Sequence, residues 1–254
     1  MVGKQLFGAV CGSVIMSCAG AMPAHATDWS GFYAGFHAGY GVSTGSTAMD
    51  FLISGVPTPM TPPVPGAYTI GPDGFLAGGQ AGFNFQHEGF VFGIEADISY
   101  SGLEGSASAA GSVTSGGPPV TSQFFSLLTQ QVDWLATVRA RVGHEIGETA
   151  LIYITGGLAM GEVADYSLMS FTSVGTSTYI GWARDTKTGW TIGAGGEMQL
   201  SERVSVRGEY LFYDLGDTTV IGPLVGNPLN PTPTRTIFDH SGHIARLGVN
   251  FRFK

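Results

Sequence analysis

The side chains able to do chemistry fall into three sets. The first holds ten charged residues, five of each sign: Glu95, Asp97, Asp133, Glu197 and Glu209 against Arg139, Arg141, Arg207, Arg246 and Arg252. Each sits at the polar parity of a stretch in which apolar and polar residues alternate. Charges that share one confined face must pair, because an isolated buried ion is very costly. The second set is nucleophile-like. Asp239-His240-Ser241 has the residue types of acid, base and nucleophile, yet three neighbours in an extended chain point in alternate directions and cannot form a triad among themselves. Gly41-Val42-Ser43-Thr44-Gly45 matches a G-x-S-x-G string. A nucleophile elbow needs strand, sharp turn and helix, and here a proline-rich stretch comes next. The third set could hold a ligand. Gly193-Ala194-Gly195-Gly196 lacks the spacing and helix of a dinucleotide site and suits close strand packing better. His37, His87, His144, His240 and His243 show no repeated metal spacing. The pattern therefore assigns no catalytic residue, no cofactor and no metal, and it makes the ten charges a structural network.

The elements that must position these residues read as β-strands, because period-two alternation recurs along the chain. Phe32, Ala34, Phe36, Ala38 and Tyr40 share one face of the first segment, with Tyr33, Gly35, His37 and Gly39 on the other. Ala77 to Phe85, Phe90 to Tyr100 and Val132 to Val142 repeat the pattern, the last placing Asp133, Thr137, Arg139 and Arg141 opposite Trp134, Ala136, Val138 and Ala140. Leu151 to Gly161 is the least clear, and Trp190 to Met198, Val204 to Phe212 and Ala245 to Phe253 complete eight strands. Gln86-His87-Glu88-Gly89, His144 to Thr149 and Leu200 to Arg203 are tight turns. The stretches Val42 to Asp73, Gly102 to Thr129, Glu162 to Lys187 and Leu215 to His240 are long, Gly/Ser/Thr/Pro-rich and without sustained period. An even strand count with short turns at one end and long loops at the other predicts an all-β, antiparallel up-and-down transmembrane barrel with short periplasmic turns and four long extracellular loops.

Composition agrees. The chain has 254 residues, 40 of them glycine, and is 43% hydrophobic but only 12% charged. Disordered chains combine low hydrophobicity with high charge, and collagen needs a strict glycine period. A formal net charge of −8 lacks the basic footprint that phosphate backbones require, so nucleic acid is not expected as a partner. Residues 1–26 have the three parts of a secretory signal peptide: Lys4, an apolar run from Leu6 to Ala21, and the small-x-small site Ala24-His25-Ala26. The mature barrel domain is then 27–254. Both cysteines, Cys11 and Cys18, fall in the removed segment, and the residues before Cys18 fit a lipoprotein site poorly.

Alternation alone does not say which face meets lipid, because a soluble barrel turns its apolar face inward. The aromatics decide. Tyr40, Tyr100, Trp134, Trp190, Tyr210 and Phe212 lie toward the long-loop ends, whereas Phe32, Phe83, Phe85, Phe90, Phe92, Phe251 and Phe253 lie toward the short-turn ends. Two aromatic rings bordering a small-aliphatic band are the girdles of a membrane barrel. The polar face then lines a lumen that side chains of eight strands nearly fill, so a salt-bridged plug is expected rather than an ion path.

As a series, these segments resemble the small outer-membrane barrels of alphaproteobacteria known as porin-like or outer-membrane immunogenic proteins. The resemblance rests on DWSGFY from Asp28, GFLAGGQAGFNFQ from Gly74, VFGIEADISYSG from Val91, VDWLATVRARVGH from Val132, YITGGLAMGE from Tyr153, the run from Gly189 to Gly216, and RLGVNFRF from Arg246. The family typically ends on the aromatic, whereas Lys254 follows Phe253 here. The resemblance implies an eight-stranded outer-membrane barrel with surface-exposed loops and carries over no catalytic residue. A structural protein of the Gram-negative outer membrane is therefore expected, contributing to envelope integrity and not forming an open pore. Its partners would be outer-membrane lipid and lipopolysaccharide, the barrel-assembly machinery, and host or surface ligands through the loops. A surface receptor for haem or another small ligand is the alternative, which the resemblance supplies, and a rim-site barrel enzyme is a more remote one.

Overall fold

Two-residue periodicity becomes a wall when each strand pairs on both sides, and that is how the chain folds. The computed structural model describes residues 28–114, 121–173, 175–226 and 232–253. The expected signal peptide, both cysteines and Lys254 lie outside the described residues. Eleven strands are formed among the described residues: β1 (Gly31–Ser43), β2 (Ser46–Ile53), β3 (Val56–Pro59), β4 (Ala67–Thr69), β5 (Asp73–His87), β6 (Phe90–Thr114), β7 (Thr121–Ile146), β8 (Ala150–Thr172), β9 (Thr176–Ser201), β10 (Val204–Gly222) and β11 (Thr234–Phe253). Eight of them run antiparallel in the order β1-β5-β6-β7-β8-β9-β10-β11, and β1 pairs back onto β11 to close the ring. Closure leaves these eight strands without an open edge. At the tight end, His87 pairs with Phe90 across Glu88 and Gly89, whose φ values are 50° and 80°. Positive φ at both central residues matches the right-handed twist of the flanking strands.

The four long connections differ from the sequence expectation. They are largely strand: β6, β7, β8 and β9 run 25, 26, 23 and 26 residues, more than the 9–11 or so that cross a bilayer. The barrel wall therefore continues well past the outer aromatics. The first connection folds into β2, β3 and β4, with β2 pairing on the upper part of β11 from Phe51–Thr234 to Thr47–Phe238.

Within the lower barrel the apolar parity faces outward. Ile94, Ile98, Val138, Ile154, Leu158 and Leu247 are all at least 60% exposed, and Phe32, Phe253, Tyr100 and Phe75 stand exposed at its two borders. Girdle rings touch across strands, Phe32–Phe83 at 4.8 Å and Tyr40–Phe75 at 5.0 Å between centroids. A continuous apolar belt of this size has no place in water; it matches the hydrocarbon layer of a bilayer.

Above the girdle the parity of two strands reverses. In β7 the register shifts between Val132 and Trp134, so Asp133 and Trp134 both face outward and the inward set changes from Leu135, Thr137, Arg139 and Arg141 to Val132, Gln130 and Leu128. In β10 a shift between Asp214 and Asp217 does the same, with Gly216 at φ 75°. Each is a β-bulge, one extra residue that re-aims the side chains beyond it. The bulges turn the apolar residues of the upper wall into an interior.

Candidate functional site

β11 samples the whole lumen, because its inward residues run Arg252, Asn250, Gly248, Arg246, Ile244, Gly242, His240, Phe238 and Thr236 from the tight-turn end outward. At the level of Arg246 lies a charged layer. Arg139 reaches Glu95 at 2.5 Å, Asp97 at 2.9 Å and Glu209 at 3.0 Å. Arg246 bonds Asp97 at 3.1 Å and Glu209 at 2.6 Å. Arg207 pairs with Glu95, and Arg141 donates to Glu197 at 3.0 Å while its guanidinium lies 4.0 Å from the Tyr153 ring centroid. Remaining acceptor positions are filled by Tyr33 Oη on Glu95 at 2.6 Å, Tyr153 Oη on Glu209 at 3.1 Å, Ser205 Oγ on Glu197 at 2.5 Å and Thr137 Oγ1 on Asp97 at 2.5 Å. Filled acceptors help buried ions persist, whereas on the donor side Arg141 Nε and Arg207 Nε and Nη2 have no hydrogen-bond partner among the described residues.

The structure thus brings together eight of the ten charges and corrects two. Asp133 is not in the lumen. As the extra residue of the β7 bulge it faces outward and pairs with Arg184, which also bonds Glu162. Arg252 is inside but outside the ion-pair layer: Nη1 donates to the Asp28 carbonyl at 2.6 Å and the guanidinium lies 4.9 Å from the Trp29 ring centroid. Trp29 itself is fully buried with Val91, Leu151 and Tyr153, and its backbone N–H donates to the Gln86 side chain at 2.7 Å. The segment before β1 therefore stops the inner mouth of the barrel.

Outward of the charges, Leu76, Leu103, Val132, Leu135, Val163, Leu211, Leu215 and Ile244 form an apolar layer. A second apolar core, with Met49, Val64, Tyr68, Ile70, Phe124, Leu128, Met169, Val220 and Phe238, fills the upper barrel. The β2–β4 excursion and its flanks supply Met49, Val64, Tyr68 and Ile70, with Tyr68 Oη on Ser126 Oγ at 2.7 Å. Burial raises the Tyr68 phenol above its ordinary pKa. Between the layers sits a polar cluster that no motif announced. His240 Nε2 is 3.0 Å from Asp165 and 3.1 Å from Thr218, and Nδ1 is 2.9 Å from Gln130.

His240 accordingly pairs away from its sequence neighbours, while Ser241 donates to Asp239 on the outer face at 2.7 Å. Ser43 donates to the Ser241 carbonyl at 2.7 Å and is followed by β2, not a helix. His37 is buried against Gln80 and Ser99, His243 is hydrogen-bonded to Tyr210 at 2.6 Å, and His87 and His144 lie near the tight turns. Among the described residues no three His, Cys, Asp or Glu side chains come together as a metal set.

Gly195 shows why that glycine run is needed. A Cβ there would stand 2.6 Å from the Tyr153 ring and 2.7 Å from the Gly208 carbonyl, whereas at outward-facing Gly196 its nearest neighbour is 3.8 Å away. Gly195→Ala is expected to destabilise by about 1–3 kcal/mol through overpacking, and Gly196→Ala to be neutral or gain up to about 1 kcal/mol. Urea unfolding of the two variants in the same vesicles checks the contrast.

Comparison with known proteins places this architecture. The model of the outer membrane protein beta-barrel domain matches residues 11–253. The chain belongs to that outer-membrane β-barrel family. It is similar to the 31 kDa outer-membrane immunogenic protein of Brucella melitensis, 32% identical over 234 residues that cover 92% of this chain and 87% of the relative. The 25 kDa outer-membrane immunogenic protein of Brucella canis is 27% identical, covering 76% and 71%, and a 22 kDa outer membrane protein of Rhizobium leguminosarum bv. viciae is 31% identical, covering 59% and 60%. Among solved structures the chain is similar to the outer membrane protein OprG from Pseudomonas aeruginosa, at 11% identity and TM-score 0.47, covering 91% of this chain and 98% of that one. This outer-membrane barrel is therefore a protein of the Gram-negative outer membrane, and its exposed apolar belt is the lipid-facing surface.

Proposed function

We propose that this outer-membrane barrel is a closed structural element of the envelope that holds rigid hairpins above the membrane and is not an open pore. One observation carries the reading: the lumen is filled along its length. Trp29 stops the inner mouth, eight paired charges cross the middle, and two apolar layers with the His240 cluster between them close the outer half. Eight strands leave an interior that side chains just fill, and here each layer has complementary chemistry. The surfaces left for partners are outward ones. Outer-leaflet lipid and lipopolysaccharide surround the wall, the barrel-assembly machinery meets it during insertion, and surface ligands meet the hairpins. The relatives are named as immunogenic, which fits hairpins displayed to the outside.

The test is electrical. Protein refolded into planar bilayers is expected to show no reproducible open state of porin size at either polarity. A steady large conductance that survives removal of the outer hairpins would overturn the closed-barrel reading.

A further inference from the structure

The outer wall of β7, β8 and β9 carries large side chains in a place the bilayer does not explain. Trp190 is the outer girdle residue of β9 and stands 48% exposed. Trp182 stands eight residues farther out along the same strand, is 75% exposed, and lies in register with outward-facing, half-buried Tyr166 of β8. Eight residues are about 26 Å of strand, or roughly 20 Å of height at the usual barrel tilt of about 40°. The polar headgroup layer on each side of a bilayer is only about 5–8 Å thick. Trp182 and Tyr166 therefore rise beyond phospholipid headgroups while remaining on the wall that lipid contacts below.

Below them lies a set of charged hydrogen-bonding groups. Arg184, two residues nearer the membrane than Trp182, bonds both Asp133 and Glu162, and Trp134 Nε1 donates to Glu162 at 3.0 Å. Two residues correspond to about 7 Å along a strand, close to the width of one pyranose ring with its hydroxyl groups. An aromatic face next to planar charged groups suits a sugar: the ring's C–H face lies on the indole while carboxylates and guanidinium bond its hydroxyls. The surrounding outer wall is rich in hydroxyl side chains, including Ser106, Ser108, Thr129, Thr178 and Thr186. Deeper insertion is excluded, since Arg184, Asp133 and Glu162 are charged and outward-facing.

We infer that exposed Trp182 and its half-buried register neighbour Tyr166, with Arg184, Asp133 and Glu162 beneath them, form a docking face for the core saccharide of outer-leaflet lipopolysaccharide. The choice of occupant rests on height and continuity: the face extends the lipid-contacting wall upward, and only a lipid with a tall saccharide headgroup reaches it. The inference deepens the proposed structural role, resting on that reading for the orientation of the barrel.

Binding is read from the protein folded in detergent micelles and titrated separately with lipopolysaccharide bearing its full core, with lipid A lacking the core, and with free core oligosaccharide as competitor. Wild type is expected to bind the full lipopolysaccharide more tightly than lipid A, and the free oligosaccharide to compete. Trp182→Ala should weaken lipopolysaccharide binding about two- to tenfold, the range of one aromatic contact, and leave lipid A binding unchanged. Trp182→Phe should retain most of the affinity. Equal affinity for the two lipids, or loss of both together in Trp182→Ala, would overturn the assignment. So would a Trp182→Ala effect seen only in cross-linking between copies of the chain, which would reassign the face to self-association. Folding into phosphatidylcholine vesicles and absence of conductance are measured on the same variants, so failure of the closed-barrel reading appears independently of any saccharide result.

Discussion

Arg139→Ala is expected to destabilise the folded barrel by about 3–5 kcal/mol, the usual range when one partner of a buried ion pair is removed. Arg139 is fully buried and, among the described residues, is the one guanidinium within 3.0 Å of three carboxylates, Glu95, Asp97 and Glu209. Its removal leaves Glu95 dependent on Arg207, and Asp97 and Glu209 dependent on Arg246. Three negative charges would then share two cations in a layer whose side chains are all buried. Urea unfolding in vesicles of one composition measures the loss. Combining Arg139→Met with Glu95→Gln should recover much of it, because the uncompensated charge, more than the absent bond, carries the penalty. The loss should be the same in thin and thick bilayers, since the substitution leaves the lipid-facing wall untouched. A loss below about 1 kcal/mol, the range of exposed pairs, would mean that water reaches the layer and that the lumen is not closed.

That network is mostly legible in the sequence because its parity is regular. Glu95 and Asp97, Arg139 and Arg141, and Arg207 and Glu209 are pairs two residues apart on strands whose other face is apolar, so alternation alone sends them inward together. Asp133 lies one residue beyond the point where that alternation holds. A bulge inserts a residue without changing composition, and here Asp133 and Trp134 both face outward. Arg252 keeps the expected direction but meets Trp29, a residue that precedes the first alternating segment. The upper barrel is hidden for a different reason. In β7 the inward Phe124 and Leu128 are flanked by outward Phe125 and Leu127, and β6 carries small residues on both faces from Ser106 to Ser112. Apolar or small residues on both faces erase the contrast that period-two reading depends on. The His240–Asp165–Thr218–Gln130 cluster draws single residues from four strands, so no local spacing could announce it.

The outward parity has a direct energetic counterpart on the lipid side. Ala136→Arg is expected to cost about 2–4 kcal/mol, as a charge near the bilayer midplane of a barrel does. Ala136 faces outward on β7, in register with Ile98 on one side and Met160 on the other. It lies on the lipid-facing wall with the small and aliphatic outward residues Ala34, Ala81, Ala96, Val138 and Leu158. No carboxylate faces outward there among the described residues, so an arginine could escape only by extending toward an interface. That escape is easier in a thin bilayer, and the penalty should therefore grow with acyl-chain length. This lipid dependence separates the variant from Arg139→Ala, whose partners are all inside. Urea-folding of wild type, Ala136→Arg and Arg139→Ala in vesicles of two thicknesses tests both variants at once. If the outward band were the covered core of a water-soluble assembly, Ala136→Arg would lose the same stability in both vesicles and the wild type would fold in plain buffer. Either result would reverse the assignment of inside and outside on which the lumen, the closed pore and the saccharide face all depend.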